Sequence, residues 1–264
     1  MGDCLITDEK IGSCVVNCQG EKMTVIDKHK KEGIPDWLIT VKFEDTNTIR
    51  ENVYWNNFKH GGVVDSFLPS ICGLGYVGNT ITKINSKHKR SYTTWIAMMN
   101  RCYNKLDKSY RWYGEIGVTV DEEWLCYANF EKWYDENIWE YNNETMNLDK
   151  DILNKGNKIY SKEACMLVPQ SINKLFLTTK KNRGKYLIGV FKNNQNKYRM
   201  FSAQMCYGDG ISKSLGSYKT EIEAFYSYKQ AKENYIKEIA DKNKDKMPKV
   251  LYDAMYLYKI EKED

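Results

Sequence analysis

The residues best placed to do chemistry lie between positions 146 and 176, where an acid and an amide flank two short apolar runs. Asp149 ends the run MNLD, a polar loop follows, and Asn173 comes soon after the run CMLV and Pro169. The pattern predicts a strand, a loop, a strand and a helix, because proline is tolerated in the first turn of a helix. One carboxylate and one amide oxygen suit a hard cation such as Mg²⁺. The spacing therefore predicts a metal site formed by Asp149 and Asn173, in a segment that we call the metal motif (residues 146–176).

A second chemical feature is a long segment that lacks acidic residues. Residues 164–208 contain no Asp or Glu. They contain eight basic residues, namely Lys174, Lys180, Lys181, Arg183, Lys185, Lys192, Lys197 and Arg199. Charge of one sign concentrated in this way is typical of a surface that binds a polyanion. We therefore expect double-stranded DNA or another nucleic acid as a partner.

The predicted DNA contacts fall into two groups. The first is a basic arm in the linker before a predicted sheet, formed by Lys180, Lys181, Arg183 and Lys185. The second belongs to the sheet itself and consists of Lys192, Lys197, Arg199 and Gln204. Because side chains of a strand alternate between its two faces, Lys197 and Arg199 share a side, and Gln204 lies opposite unless a bulge intervenes.

Composition narrows the classes of protein that fit. The chain of 264 residues has a net charge of +5 and is 42% hydrophobic and 28% charged, so it can build packed cores and a wholly disordered chain is not expected. No apolar run approaches the roughly 18 residues of a membrane helix. The first ten residues are acidic where a secretory signal is basic. We therefore expect a soluble protein inside the cell, with no membrane partner.

Cysteine and histidine limit the chemistry further. The eight cysteines include no Cys-x-x-Cys pair, so a structural zinc site is not expected and the thiols are expected to be reduced. The three histidines are His29, His60 and His88. All of them precede residue 90, so a mechanism that needs a histidine must recruit it from the first third of the chain.

Three modules of an α+β fold are predicted to position these residues. In residues 1–75, short apolar runs such as WLITVKFED alternate with turn residues and predict a small, strongly bent β-barrel-like module. Residues 76–180 predict a domain of two amphipathic helices followed by the metal motif. Residues 184–264 predict three antiparallel strands and one helix, which begins at a capping box of Thr220 and Glu223.

Two segments follow the first module. GLGYVGN, residues 73–79, is rich in glycine but lacks the spacing of a dinucleotide or phosphate loop, and we interpret it as a linker. The basic stretch KINSKHKR, residues 83–90, suits either phosphate contacts or a solvated lead-in to a helix that begins at Ser91.

Residues 92–176 contain a series of spaced positions that a known family shares. The series runs through Tyr92, Trp95, Met98, Arg101, Cys102, Asn104, Tyr110, Tyr113, Gly114, Gly117, Val118, Trp124 and Phe130, and continues through Leu148, Asp149, Lys150, Asp151, Gly156, Asn157, Cys165, Val168, Ile172 and Asn173. It resembles the HNH-like proteins of bacteriophages and mobile elements. The resemblance implies a β-β-α-metal domain with DNA endonuclease activity and Mg²⁺ as its cofactor.

In the β-β-α-metal nucleases an aspartate and a helix residue hold the metal, and a histidine next to the aspartate deprotonates the attacking water. The resemblance assigns the metal to Asp149 and Asn173 and the catalytic base to Lys150. Lysine departs from the family pattern, because a base acting near pH 7 needs the usual lysine pKa of about 10.4 lowered by about 3 units. Lys150 then either acts as an unusual base or stays charged and binds a phosphate. Loss of a general base typically lowers the rate by about 10²–10⁴.

A second resemblance covers residues 186–240. It rests on Gly189, Val190, Lys197, Tyr198, Arg199, Leu215, Gly216, Ser217, Tyr218, Thr220 and Ala224. These positions are similar to the ethylene-response-factor type of DNA-binding domain, and residues 1–75 resemble a small module found with both. Such modules occur together in homing-endonuclease-like proteins of phages, which implies the cytoplasm of a bacterial host cell.

Two functions are open at this point. The first is a homing endonuclease that cleaves DNA with Mg²⁺. The second is an inactive HNH-like binder that represses transcription or inhibits a host defence protein, as an anti-CRISPR protein does. A purely structural role, for example in a virion, fits two DNA-binding-like modules less well.

Overall fold

Short strands and helices of mixed order run along the chain, and the fold class is α+β as predicted. The computed structural model describes residues 10–176, 185–194, 198–207 and 210–264. It divides the chain into two units, Met1–Lys132 and Trp133–Asp264. Among the helices in these described ranges, none has the length and apolar character needed to cross a membrane. The three predicted module boundaries remain predictions.

The first unit begins with an antiparallel sheet in the strand order β1-β2-β3-β4. Its strands are Cys14–Val16 (β1), Lys22–His29 (β2), Leu38–Phe43 (β3) and Ile49–Tyr54 (β4). Its core includes Met23, Val25, Ile39, Val41 and Phe43, and burial of each such side chain contributes about 1.5–3 kcal/mol. Strand β3 does not alternate between buried and exposed positions, because Leu38 and Thr40 are buried together with Ile39, Val41 and Phe43.

The predicted closure of this sheet into a barrel is wrong. In the described residues the sheet is open, with β1 and β4 as its edges. Helix α1 (Trp55–Lys59) follows β4 directly, and its Phe58 is fully buried in the same core. Phe58 of this helix and Val63 after it thus complete the core of an open sheet, without pairing of the first and last strands.

The glycine-rich segment after this sheet is packed, so its interpretation as a linker is wrong. A Cβ atom added at Gly75 would lie 2.9 Å from Met99 Cε and 3.0 Å from the Trp95 ring. Tyr76 forms a parallel bridge with Cys126. The glycine is thus required because two large buried side chains approach the backbone.

The remainder of this unit is built on one long helix. A two-stranded hairpin, Lys83–Ile84 (β5) and Lys87–His88 (β6), leads into α2 (Arg90–Tyr103). The first predicted amphipathic helix is confirmed in α2, since Trp95, Met98, Met99 and Cys102 recur at helical spacing and are buried. The helix begins one residue before Ser91, which is buried and bonded to the Tyr127 hydroxyl instead of capping the helix.

The predicted second amphipathic helix is two helices. Strand Thr119–Val120 (β7) precedes α3 (Glu122–Leu125), and α4 (Tyr127–Asn137) follows after a break at Cys126. Cys126 has an extended backbone with ψ of 116°, because it forms the bridge to Tyr76. A tertiary contact thus interrupts a pattern that is helical on both sides.

The second unit contains the metal motif and a three-stranded sheet. The motif consists of Met146–Asp149 (β8), Ile159–Tyr160 (β9), Met166–Pro169 (β10) and Gln170–Phe176 (α5). The sheet consists of Val190–Lys192 (β11), Phe201–Tyr207 (β12) and Ile211–Tyr218 (β13), in that order. Helix α6 (Glu221–Lys242) covers one face of the sheet, and α7 (Lys249–Leu257) packs on α6.

The three strands and the helix α6 of the last module are as predicted, and α7 is a further helix that was not predicted. The capping box is present, with Thr220 accepting from the Glu223 amide and Glu223 accepting from the Thr220 amide. The sheet core contains Val190, Ala203 and Met205, packed with side chains of α6.

Candidate metal motif and nucleic-acid interface

The metal motif has the predicted order of strand, loop, strand and helix. Strands β8 and β10 are antiparallel, and Met166 lies opposite Asp149. Helix α5 follows β10 without a break and contacts both strands. The start of α5 is fixed by Glu144, whose carboxylate accepts hydrogen bonds from the amide (2.8 Å) and hydroxyl (2.9 Å) of Ser171.

Asp149 ends β8 and uses one of its two oxygens within the fold. Its Oδ1 accepts hydrogen bonds from the amides of Asp151 and Ile152, both at 2.8 Å. Burial raises the pKa of the Asp149 carboxyl, and these two hydrogen bonds oppose that rise. Oδ2 accepts no hydrogen bond from the described residues, so one carboxylate oxygen is available to a cation.

Asn173 lies on α5, where it is half-buried beside the buried Ile172. Both predicted ligands are therefore on the predicted elements, and a carboxylate and an amide oxygen suit Mg²⁺ in their chemistry. In the described part of the chain, no group of three or more His, Cys, Asp or Glu side chains is arranged to hold a metal.

Lys150, the predicted base or phosphate ligand, is engaged inside its own loop. Its side chain is 9% exposed, and its Nζ contacts both carboxylate oxygens of Asp151 at 2.8 and 2.9 Å. The same Nζ donates to the carbonyl oxygen of Asn157 at 2.5 Å. An ammonium has three donors, and three acceptors already surround this one. Lys150 would have to leave these partners to act on a substrate.

The metal motif contacts the end of the chain, which was not predicted from the sequence. Lys155 Nζ donates to the carbonyl of Lys259 at 2.9 Å and to Asp264 Oδ2 at 2.5 Å. Phe176, at the end of α5, packs edge-on against Tyr258 with 4.7 Å between ring centroids. Burial raises the pKa of the Tyr258 hydroxyl, and nearby carboxylates, Asp149 among them, add to the rise. No local pattern indicates a contact across a hundred residues.

The predicted DNA contacts are placed as follows in the second unit. Lys185 and Arg199 are exposed, the latter in the connection between β11 and β12. Lys192 is exposed at the end of β11, opposite Phe201. Gln204 is half-buried on β12. Lys180, Lys181, Arg183 and Lys197 lie outside the described residues.

Alternation along β12 defines two faces of the sheet. Ala203 and Met205 are buried against α6, so Gln204 points to the opposite face, which we call the outer face. A bulge is present between Ala203 and Gln204, but the extra residue is Leu215 on β13, because Ala203 pairs with Gly216 and Gln204 with Ser214. The bulge therefore leaves the side of Gln204 unchanged.

The strand residues of the outer face are mostly polar and include no carboxylate. They are Phe191, Ser202, Gln204, Cys206, Ser212, Ser214 and Ser217. Phe191 is 51% exposed and lies opposite Ser202. The serines were not predicted as contacts, although the alternating Ser-x-Ser at the start of β13 is a pattern that would have indicated them.

Comparison of the chain with protein-family models, with curated proteins and with solved structures finds no match. The resemblances to HNH-like proteins and to ethylene-response-factor type domains therefore remain predictions from the sequence.

Proposed function

We propose that this chain binds double-stranded DNA through the outer face of the three-stranded sheet, and that its metal motif stabilises the fold without cutting the DNA. The observation that carries the proposal is the composition of that face. Hydroxyl and amide groups on it both donate and accept hydrogen bonds, and no carboxylate on β11, β12 or β13 would repel phosphate.

The size and chemistry of the outer face suit the major groove. That groove is about 12 Å wide and admits a narrow β-ribbon, and base edges offer both donors and acceptors. Gln204 and Ser214 form a cross-strand pair that can bond to base edges, and Phe191 can contact a thymine methyl group. Lys192 follows Phe191 on β11, so strand alternation directs it away from the outer face at the end of the strand. It is exposed there, as are Lys185 and Arg199 elsewhere in this unit, and phosphate contacts from these three residues would fix the orientation of the chain.

The engagement of Lys150 favours binding over cleavage. A general base needs a free lone pair, whereas the Lys150 amine donates to Asp151 and to the Asn157 carbonyl. The adjacent carboxylate of Asp151, which could also accept a proton, is itself the ion-pair partner of this lysine. We accordingly propose a sequence-reading regulator of phage or mobile-element origin, in keeping with the two resemblances.

One observation favours a second function, Mg²⁺-dependent cleavage of a DNA strand. Oδ2 of Asp149 has no hydrogen bond from the described residues, and Asn173 lies on the helix that packs on β8. These two residues would hold the ion, which would supply an activated water and stabilise charge on the phosphate. Cleavage at the metal motif would then be slow, because no general base would activate the water.

The test has two parts and uses the full chain. Selection from a library of random duplexes should enrich a sequence that is bound tightly and with a strong dependence on salt. A plasmid that contains this sequence should stay intact with Mg²⁺ or Mn²⁺. Cleavage that Asp149→Ala abolishes would replace the proposal with the second function. Failure to enrich any duplex would contradict DNA binding and would favour a protein partner such as a host defence protein.

A further inference from the structure

The hairpin β5–β6 in the first unit has no face in a core. Every residue from Lys83 to His88 is exposed. Its two strands pair Lys83 with His88 and Ile84 with Lys87, and Asn85 and Ser86 form the turn with φ values of 48° and 65°. Positive φ at both central residues is typical of a tight type I′ turn. An isolated two-stranded hairpin is only marginally stable in water, so other contacts must hold this one.

Those contacts lie at the base of the hairpin and converge on one buried carboxylate. Glu131 is 7% exposed and accepts hydrogen bonds from Lys89 Nζ at 2.7 Å, from the Tyr127 hydroxyl at 2.8 Å and from the Thr80 hydroxyl. Thr80 precedes the hairpin and Lys89 follows it. A single carboxylate therefore fixes both ends, while the tip stays in solvent. The His88 ring also stacks on Tyr92 with 4.9 Å between centroids.

The tip and its surroundings are strongly basic. Residues 66–106 contain no Asp or Glu, which makes them a second acid-free segment of the chain. Lys83, Lys87 and Arg90 are exposed, and no carboxylate of the described residues pairs with them. Ile84, next to the turn, is 58% exposed. Exposed basic side chains around the exposed Ile84 are similar to the arms of proteins that place an apolar wedge in a groove of DNA.

We propose that the β5–β6 hairpin is a preorganised arm that binds the phosphate backbone of duplex DNA, independently of sequence. Lys83, Lys87 and Arg90 contact phosphates, and Ile84 packs into the groove between them. Because the base is fixed at Glu131, little conformational entropy is lost when the arm binds. The arm belongs to the first unit and does not require the outer face of the sheet.

Binding of the full chain to a short duplex of arbitrary sequence tests the arm. The triple variant Lys83→Gln, Lys87→Gln, Arg90→Gln should lower the slope of log K against log salt by about 2–3, and should weaken binding about tenfold or more. The matched control Lys31→Gln, Lys59→Gln, Lys132→Gln removes the same charge from three other exposed lysines and should have a clearly smaller effect. Equal effects of the two variants would overturn the proposal, because net charge alone would then explain the loss. Ile84→Ala should weaken binding without a change in slope.

A measurement on the unchanged chain removes any dependence on folding of the variants. Acetylation of lysine amines, followed by mass spectrometry, should find Lys83 and Lys87 protected by duplex DNA and Lys31 and Lys59 unprotected. Equal protection of all four would contradict the proposal. The wild-type chain could instead bind phosphatidylserine vesicles and no duplex, with vesicle binding lost in the triple variant. That result would make a membrane surface the partner and would overturn the proposal.

The two proposals can fail separately. If Ser214→Asp on the outer face leaves duplex binding intact and the hairpin variant abolishes it, the arm stands and the proposed function of the sheet fails. The reverse result would leave the sheet as the DNA-binding surface and reject the arm.

Discussion

Lys150 and Asn157 bind each other across seven residues of the metal motif. The ammonium of Lys150 donates to the carbonyl oxygen of Asn157 at 2.5 Å, and the side-chain amide of Asn157 donates to the carbonyl oxygen of Lys150 at 3.1 Å. The position at which the HNH-like pattern has a catalytic histidine is thus occupied by a side chain that closes the loop. This relationship gives Lys150 a structural role in the loop.

Lys150→Met tests that structural role. The substitution keeps the apolar stem and leaves the Asp151 carboxylate and the Asn157 carbonyl without their donor. We expect the free energy of unfolding to fall by about 1–3 kcal/mol, measured by urea denaturation. Lys174→Met on the exposed side of α5 is the control and should change little. Unchanged stability together with weaker DNA binding would instead make Lys150 a phosphate ligand.

Asp149→Asn should stabilise the chain at neutral pH. Asparagine keeps an oxygen for the amides of Asp151 and Ile152 but carries no charge. Burial raises the pKa of Asp149 in the folded chain above its usual value of 3.8, so ionisation disfavours folding. The resulting loss of folding stability is absent below pH 3.8 and grows as the pH rises to the pKa of Asp149 in the folded chain. We expect the difference in stability between the two chains to grow between about pH 3.5 and 7. Urea denaturation at a series of pH values measures it. A less stable Asp149→Asn chain at pH 7 would contradict the account.

Glu131→Gln should be strongly destabilising. The substitution leaves Lys89 without its anion, in a pair whose side chains are only 21% and 10% exposed. Removal of one partner from such a pair typically costs about 3–5 kcal/mol, and we expect about 2–4 kcal/mol here because Lys89 keeps some contact with water. Glu44→Gln breaks the exposed pair with Lys22 and should have no measurable effect. If Glu131→Gln and Glu44→Gln were equally stable, Glu131 would not be the residue that holds the hairpin in place.

The pH dependence of the Glu131 pair has the opposite sign to that of Asp149. Burial raises the pKa of the Glu131 carboxyl, but hydrogen bonds from Lys89, Thr80 and Tyr127 outweigh it and lower the pKa below 4.5. The stabilisation is therefore complete above pH 4.5 and is lost as pH falls through the folded pKa. Acid titration of wild type and Glu131→Gln should give curves that converge at low pH, and parallel curves would contradict this assignment.

Lys185, Lys192 and Arg199, the exposed basic residues predicted as DNA contacts, should determine the salt dependence of specific binding. Removal of three phosphate contacts by Lys185→Gln, Lys192→Gln and Arg199→Gln together should lower the slope of log K against log salt by about 2–3. The triple control Lys219→Gln, Lys242→Gln, Lys246→Gln removes the same charge from exposed positions outside the outer face. The account fails if the control lowers the slope as much.

Features specified by neighbouring residues could be predicted from the sequence. The capping box of Thr220 and Glu223 starts α6 as expected, because its hydrogen bonds form within one turn. The strand, loop, strand and helix of the metal motif follow from apolar runs separated by turn residues. Asp149 and Asn173 accordingly lie on the elements that were predicted for them.

Features set by distant contacts could not be predicted. Cys126 breaks a helical pattern because its backbone pairs with Tyr76, fifty residues earlier in the chain. The engagement of Lys150 depends on how its loop folds back on itself, which residue types alone do not reveal. Gln204 is on the outer face because Ala203 and Met205 pack on α6, and this pairing of sheet and helix is a tertiary property.

The most direct test of the central claim places one carboxylate on the outer face. Ser214 is exposed there, opposite Gln204. Ser214→Asp should weaken binding to the selected duplex by about a hundredfold or more, since a desolvated carboxylate beside phosphate costs several kcal/mol. Asn143→Asp adds the same charge at another exposed position of this unit and should bind nearly as wild type does. Wild-type affinity of the Ser214→Asp chain, measured by fluorescence anisotropy at fixed salt, would contradict DNA binding by this face.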